Sequence, residues 1–236
     1  MADPIDLSGF FADSRAFLKA LSENNDRGWF NANKAQYDSA LKRPSEKLLT
    51  EIAAWFARDM NLHPRTKLFR PHRDVRFSED KTPFHMHLHM MWFLPDGRSW
   101  MLGIAPDYAT TGAGIMRFER DQERRWRDAV ASDGGAELEA ILGAGGWRVD
   151  DPEMTRMPPP YPADHPRAAL LRQRGLIAWA DGLEEALSAD PEQTLKDRFA
   201  AFRPLMDWLA QVTRPISFPG PGRHAARRQG YGPSGE

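Results

Sequence analysis

The sequence predicts an α+β fold, with N-terminal helices, a central and mainly antiparallel sheet built from hairpins, and C-terminal helices. Three observations predict it. Residues 14–60 carry apolar side chains at three- and four-residue spacing, the helical period. Residues 66–117 then change to short apolar runs separated by turn-forming residues. From residue 119 onward the helical period returns, punctuated by glycine and proline. Helices, hairpin-linked strands and helices in that order favour segregated layers over alternating β–α units.

The elements follow in order. Phe17, Leu18 and Leu21 share one face of a first helix, with Asp13 or Ser14 as its expected N-cap. Asp26 caps a second, in which Trp29, Phe30, Asn33, Tyr37, Ala40 and Leu41 recur at helical spacing. Pro44 suits the first turn of a third, whose stripe is Leu48, Leu49, Ile52, Trp55, Phe56 and Met60. Strands are expected at 66–70, 72–78, 85–94, 98–105 and 112–117. "LPDGRS" is a hairpin turn in which Gly97 supplies a positive φ, and Gly112 and Gly114 signal a bulge or a close backbone approach. Helices are expected at 119–131 and 135–142, the second ending at Gly143 in "GAGG". The proline-rich segment 150–166 reads as a long loop. A short helix capped by Asp164 follows, then a strand "LIAWA". The last helix starts near Asp190, and Pro204 must kink or divide it. Residues 1–217 are read as one globular domain. Residues 218–236, rich in Gly, Pro and Arg, are read as a disordered tail.

Composition narrows the function classes. Of 236 residues, 41% are hydrophobic, enough for a sizeable core. The net charge of −1 provides no global field to recruit nucleic acid or an anionic membrane. The absence of cysteine excludes thiol nucleophiles, disulfides and thiolate zinc sites. No signal-peptide pattern opens the chain and no apolar run is long enough to span a bilayer, so a cytoplasmic location is expected. Phosphate-loop, dinucleotide-binding and serine-hydrolase motifs are missing.

The densest chemistry lies in "RPHRDVRFSEDKTPFHMHLHMMW", residues 70–92. With 72–78 extended, Val75 and Phe77 point to the core beside Arg73, while His72, Asp74 and Arg76 share the other face. Such a group can hold an anion. Arg70, Arg73 and Arg76 would supply charge, Asp80 and Lys81 further polar groups, and Asp74 would orient a guanidinium or act as a base. The same residues also suit a salt-bridge lattice that locks the segment. His85, His87 and His89 alternate on one strand face. The first and third lie about 13 Å apart, too far to share a metal, so no metal site is expected and His87 joins the ligand-binding candidates.

With these residues, the chain resembles the DUF2461 family of bacterial and fungal proteins of uncharacterised function. The resemblance rests on Arg70, Arg73, Asp74, Arg76, Phe77, Asp80, Lys81 and Phe84, on Asn24 and Asn25 before Trp29 and Phe30, and on Asp164, His165 and Pro166. It covers most of residues 7–213. The family usually has tyrosine where Phe84 stands here. The resemblance implies no reaction and no cofactor. It does imply that the distant Asn-Asn and Asp-His-Pro elements converge with the arginine motif on a polar site, in which His165 is the best acid–base candidate. Two readings stay open: a pocket for a small anionic molecule, with or without catalysis, or a non-catalytic scaffold whose charges form an internal network.

Overall fold

The computed structural model describes residue 7 and residues 9–214; the expected tail, 218–236, lies outside them. The architecture is α+β. Six strands, β1 (Arg65–Leu68), β2 (Leu88–Phe93), β3 (Arg98–Ile104), β4 (Ala109–Ile115), β5 (Arg148–Val149) and β6 (Leu176–Ala180), form one sheet in the order β1-β2-β3-β4-β6-β5. Every neighbouring pair is antiparallel.

Four helices pack on one face of this sheet: α1 (Phe10–Glu23), α4 (Arg43–Asp59), α9 (Pro191–Ala201) and α10 (Arg203–Thr213). Between α1 and α4 lie α2 (Arg27–Ala32), α3 (Lys34–Gln36) and a π-helical stretch, Tyr37–Lys42, which runs directly into α4. On the other side of α10 sit α5 (Arg120–Ala131) and α6 (Asp133–Gly145); α7 (Ala168–Leu171) packs on α5, and α8 (Glu184–Ala189) contacts α1 and α9. Among the described residues no helix is long and apolar enough to cross a membrane.

The core is the layer between sheet and helices. Leu88, Met90 and Trp92 of β2 stand opposite Ile104, Leu102 and Trp100 of β3, all buried. Trp100 meets Phe56 of α4 at 4.6 Å between ring centroids, and Trp92 meets Phe199 of α9 at 5.3 Å. The Trp92 indole N–H donates to the Leu49 carbonyl, so its one polar atom is satisfied inside the core.

Several expectations hold. Asp26 caps α2 by accepting from the Trp29 N–H, Pro44 sits in the first turn of α4, Gly97 has φ 90°, and the chain breaks at Phe202 so that Pro204 opens α10. Others need correction. The α1 N-cap is Gly9, because the helix begins four residues earlier than the apolar stripe suggested, at Phe10. α6 runs two residues further, to Gly145, and ends on the left-handed Gly146. α7 is preceded by Arg167 with no side-chain cap from Asp164. The strand expected at 85–94 begins only at Leu88. The largest difference is 72–78, which forms no strand. Among the described residues its one ladder contact is an isolated bridge from His72 to Phe84, and Phe77 is 96% exposed. The sheet ends at β1, and 72–78 does not add to its free edge.

Gly114 is held tightly: a Cβ there would sit 1.9 Å from the Leu176 carbonyl oxygen of β6. Gly97→Val is expected to cost about 1–2 kcal/mol through its positive φ. Gly114→Ala should cost roughly 3 kcal/mol or more, since backbone must move to admit it. Urea unfolding midpoints of the two variants check this ordering; an unchanged midpoint for Gly114→Ala would refute the close β4–β6 approach.

Candidate functional site

The charged segment is anchored to the N-terminal helices through backbone. The Asn25 side chain, in the α1–α2 connection, donates to the Phe84 carbonyl at 3.0 Å and accepts from the Phe84 N–H at 3.1 Å, so one amide clamps one residue. Phe84 is buried and stacks on Phe30 at 4.1 Å. His72 lies edge-on to both rings. The Asn-Asn element therefore meets the motif, but as a clamp on its backbone.

Within the loop the charges pair off. Arg73 reaches the Asp80 carboxylate at 2.5 Å and also donates to the Thr82 hydroxyl and, at 3.2 Å, to the Thr82 carbonyl. Asp80 accepts from the Thr82 backbone N–H and hydroxyl as well, and these donors together with Arg73 hold its carboxyl down at about 2. Lys81 donates to the Val75 carbonyl. Asp74 forms a two-pronged pair with Arg76, at 2.6 Å and 2.9 Å, and accepts from the Arg76 backbone N–H. That pair is exposed. Asp74 thus pairs with one of the motif's arginines at the surface, in a segment that is a loop and not the expected strand.

Two cavities flank Phe69, just past β1. The first, about 520 Å³, lies between the end of β1 and the charged loop and is lined by Lys67, Arg70, His72, Asp74, His85 and His87. Lys67 sits over the Phe69 ring at 4.3 Å. Among the described residues neither Lys67 nor Arg70 forms a salt bridge, in contrast to Arg73 and Arg76.

The second cavity, about 530 Å³, lies on the sheet face away from the helices. The strand register builds it. One row of opposed residues crosses all six strands: Lys67, Met91, Met101, Gly112, Trp179 and Arg148. The adjacent row places His89 beside Gly103 and Thr110. Gly103 and Gly112 leave room for neighbouring rings. A Cβ on Gly112 would be 2.4 Å from the Trp179 ring, and one on Gly103 would be 3.2 Å from Tyr108. Arg148 pairs with Asp150 and Asp181, the Trp179 indole N–H donates to Asp150, and the Thr110 hydroxyl donates to Asp181.

The histidine run connects the cavities. His85 and His87 have ring centroids 4.8 Å apart, and His87 and His89 stack at 3.8 Å, nearly parallel. Stacked imidazoles point their lone pairs side by side and cannot converge on one ion. His89 Nε2 and Tyr108 Oη share a hydrogen bond at 3.0 Å. Burial, then the neighbouring histidines, push His89 down to about 4; burial also lowers His87 and His85. All three are neutral near pH 7.

Of the sequence candidates, Arg70, Asp74 and His87 line the first cavity, while Arg73, Arg76, Asp80 and Lys81 are engaged within the loop. His165 is not brought to them. It accepts from the Arg167 N–H through Nδ1 and packs on Tyr161, whose hydroxyl donates to Asp128 of α5. Sequence reasoning missed Lys67, His89, Tyr108, Trp179 and Arg148. Only the period-2 alternation of β2 signalled His89; the others meet through register.

The fold and its cavities define a class: an α+β protein whose antiparallel sheet is covered by helices on one face and opens a cleft on the other. The chain belongs to the DUF2461 family, described as conserved hypothetical proteins, whose model matches residues 13–208. No curated protein and no solved structure matches it.

Two outcomes are expected. Asn25→Ala should destabilise by about 2–3 kcal/mol, because it strands a backbone donor and acceptor beside a buried ring. Asp74→Asn should leave the urea midpoint within error, as expected of an exposed pair; the reverse ordering would place the anchor in the charges. The second concerns pH. Unfolded His89 titrates near 6.5 and folded His89 near 4, so the unfolded chain binds the extra proton between those values. Stability should therefore fall as pH drops from about 6.5 to about 4, by at most about 1.4 kcal/mol per pH unit for this group. His89→Gln should flatten that slope; an unchanged slope would show that His89 titrates normally.

Proposed function

We propose that this protein binds a small anionic molecule in the cleft between β1 and the charged loop. The observation that carries the reading is the pair of cations Lys67 and Arg70, which form no salt bridge among the described residues and face a cleft of about 520 Å³. The volume suits a metabolite-sized ligand. Arg70 offers a planar fork of donors for a carboxylate or phosphate, and Lys67 a point charge. His85 and His87, lowered by burial, present neutral imidazoles that each donate one hydrogen bond without adding charge. Asp74 also lines the cleft, but Arg76 neutralises it.

A second reading applies to the inner motif. The pairing of Arg73 with Asp80 and Thr82, and of Lys81 with the Val75 carbonyl, supports a scaffold role for those residues, which hold the loop that forms one wall.

Thermal or urea unfolding with about 50 mM phosphate or sulfate, against chloride at matched ionic strength, tests the proposal. For a millimolar Kd the parent protein should gain about 2 kcal/mol. Arg70→Ala and Lys67→Ala should each lose most of that gain while unfolding normally in chloride. An equal gain in parent and variants would mean a general salt effect and would refute the site.

A further inference from the structure

We propose that the cavity on the open face of the sheet binds a planar aromatic group, and that the ligand is an aromatic acid whose ring lies there while its anionic group reaches Lys67 and Arg70. The second half rests on the anion reading above; the first stands without it.

The open-face cavity has the volume and lining of a small-molecule site, mostly apolar with a few placed polar groups. Its walls are aromatic. Tyr108 folds back over Gly103, Trp179 lies over Gly112, and Phe69 closes the end toward the other cleft. Aromatic walls favour stacked or edge-on aromatic partners. Met101 and Met116 add polarisable sulfur, which also favours ring contact. Met116 is 58% exposed, an apolar side chain left at the cavity's lining.

The polar groups of this cavity do not select an anion. Arg148 is already held by Asp150 and Asp181, so this side carries a net negative charge. The acidic end of a ligand must therefore point the other way, past Phe69. There the two cavities share a wall: Phe69 lines both, and His87 of one stacks on His89 of the other at 3.8 Å. A ring in the open-face cavity and a charge beside Arg70 are thus within reach of one small molecule. A net negative charge at one end, and at the other two cations without a salt bridge among the described residues, give the pair of cavities a polarity that an aromatic acid matches.

The test uses two probes with the same fused ring system: N-phenyl-1-naphthylamine, which is neutral, and 1-anilinonaphthalene-8-sulfonate. Each is titrated by fluorescence into the full chain at low salt, in protein that unfolds cooperatively. Both should bind saturably at one per chain. The sulfonate should bind about fivefold tighter, the contribution of a partly exposed charge pair. Trp179→Ala should weaken both probes about tenfold or more, and Trp179→Phe should retain them. Met116→Asp, at an exposed position, should weaken both as well and serves if Trp179→Ala does not fold. Arg70→Ala should reduce the sulfonate to the affinity of the neutral probe and leave the neutral probe unchanged.

Absence of saturable neutral-probe binding, or binding indifferent to both Trp179→Ala and Met116→Asp, overturns the aromatic cavity whatever the phosphate result. Sulfonate binding indifferent to Arg70→Ala, with a phosphate gain that does depend on Arg70, overturns the single-ligand link and leaves the anion cleft standing. Probe binding that disappears as the chain self-associates in sedimentation would mean that a second copy covers the face, and overturns the proposal.

Discussion

One-sided burial of the sheet is the constraint on which the rest depends. Trp92 and Trp100, directly opposed and without solvent exposure, are closed over by Phe56 and Phe199. Side chains alternate along a strand, so a one-residue slip of either strand would turn its indole to the opposite face. The register is therefore fixed by the helix-facing side, and the other side inherits whatever residues fall between. What falls there is not an ordinary solvent face. It is a row with cations at both ends and methionine, glycine and tryptophan in the middle, of which Met101, Trp179 and Arg148 line the cavity.

The arginine motif divides into two parts with different physics. Arg73, Asp80 and Thr82 close a polar turn, while Asn25 and Phe84 attach that turn to the helices, by backbone hydrogen bonds on one side and ring stacking on the other. The anchor is neutral and partly buried, where hydrogen bonds are costly to lose. The Asp74–Arg76 pair sits at the surface, where solvent weakens it. Phe84 also accounts for the aromatic at that position without chemistry: its ring fills a slot against Phe30 and is reached by no solvent.

The three histidines show how a local sequence pattern changes meaning in three dimensions. Alternation put them on one face. Packing then stacked them into a short column between two cavities, with burial keeping them uncharged. A neutral column can line a ligand site at neutral pH, whereas three charged imidazoles at these separations would repel one another.

The sequence by itself determined the elements whose signals are local. Periodicity located the helical stretches of the first sixty residues, though the second divides into α2, α3 and the π-helical Tyr37–Lys42; Asp26 and Pro44 marked helix starts, Gly97 marked the hairpin, and Pro204 marked the break before α10. The charged motif was legible as residues that matter, because so many ionisable groups in one stretch are costly without partners. It was not legible which partner each would take. Segment 72–78 had the alternation of a strand, and only the tertiary structure, in which it does not join the sheet, made it a loop with Phe77 in water. His165 appeared beside the motif in importance and lies apart from it in space. The open-face cavity was invisible for the same reason in reverse. Residues 69, 89, 103, 110 and 179 carry no shared pattern along the chain. They meet because antiparallel pairing brings distant residues within about 5 Å of one another across neighbouring strands, and that register was set by the burial of two tryptophans on the opposite face.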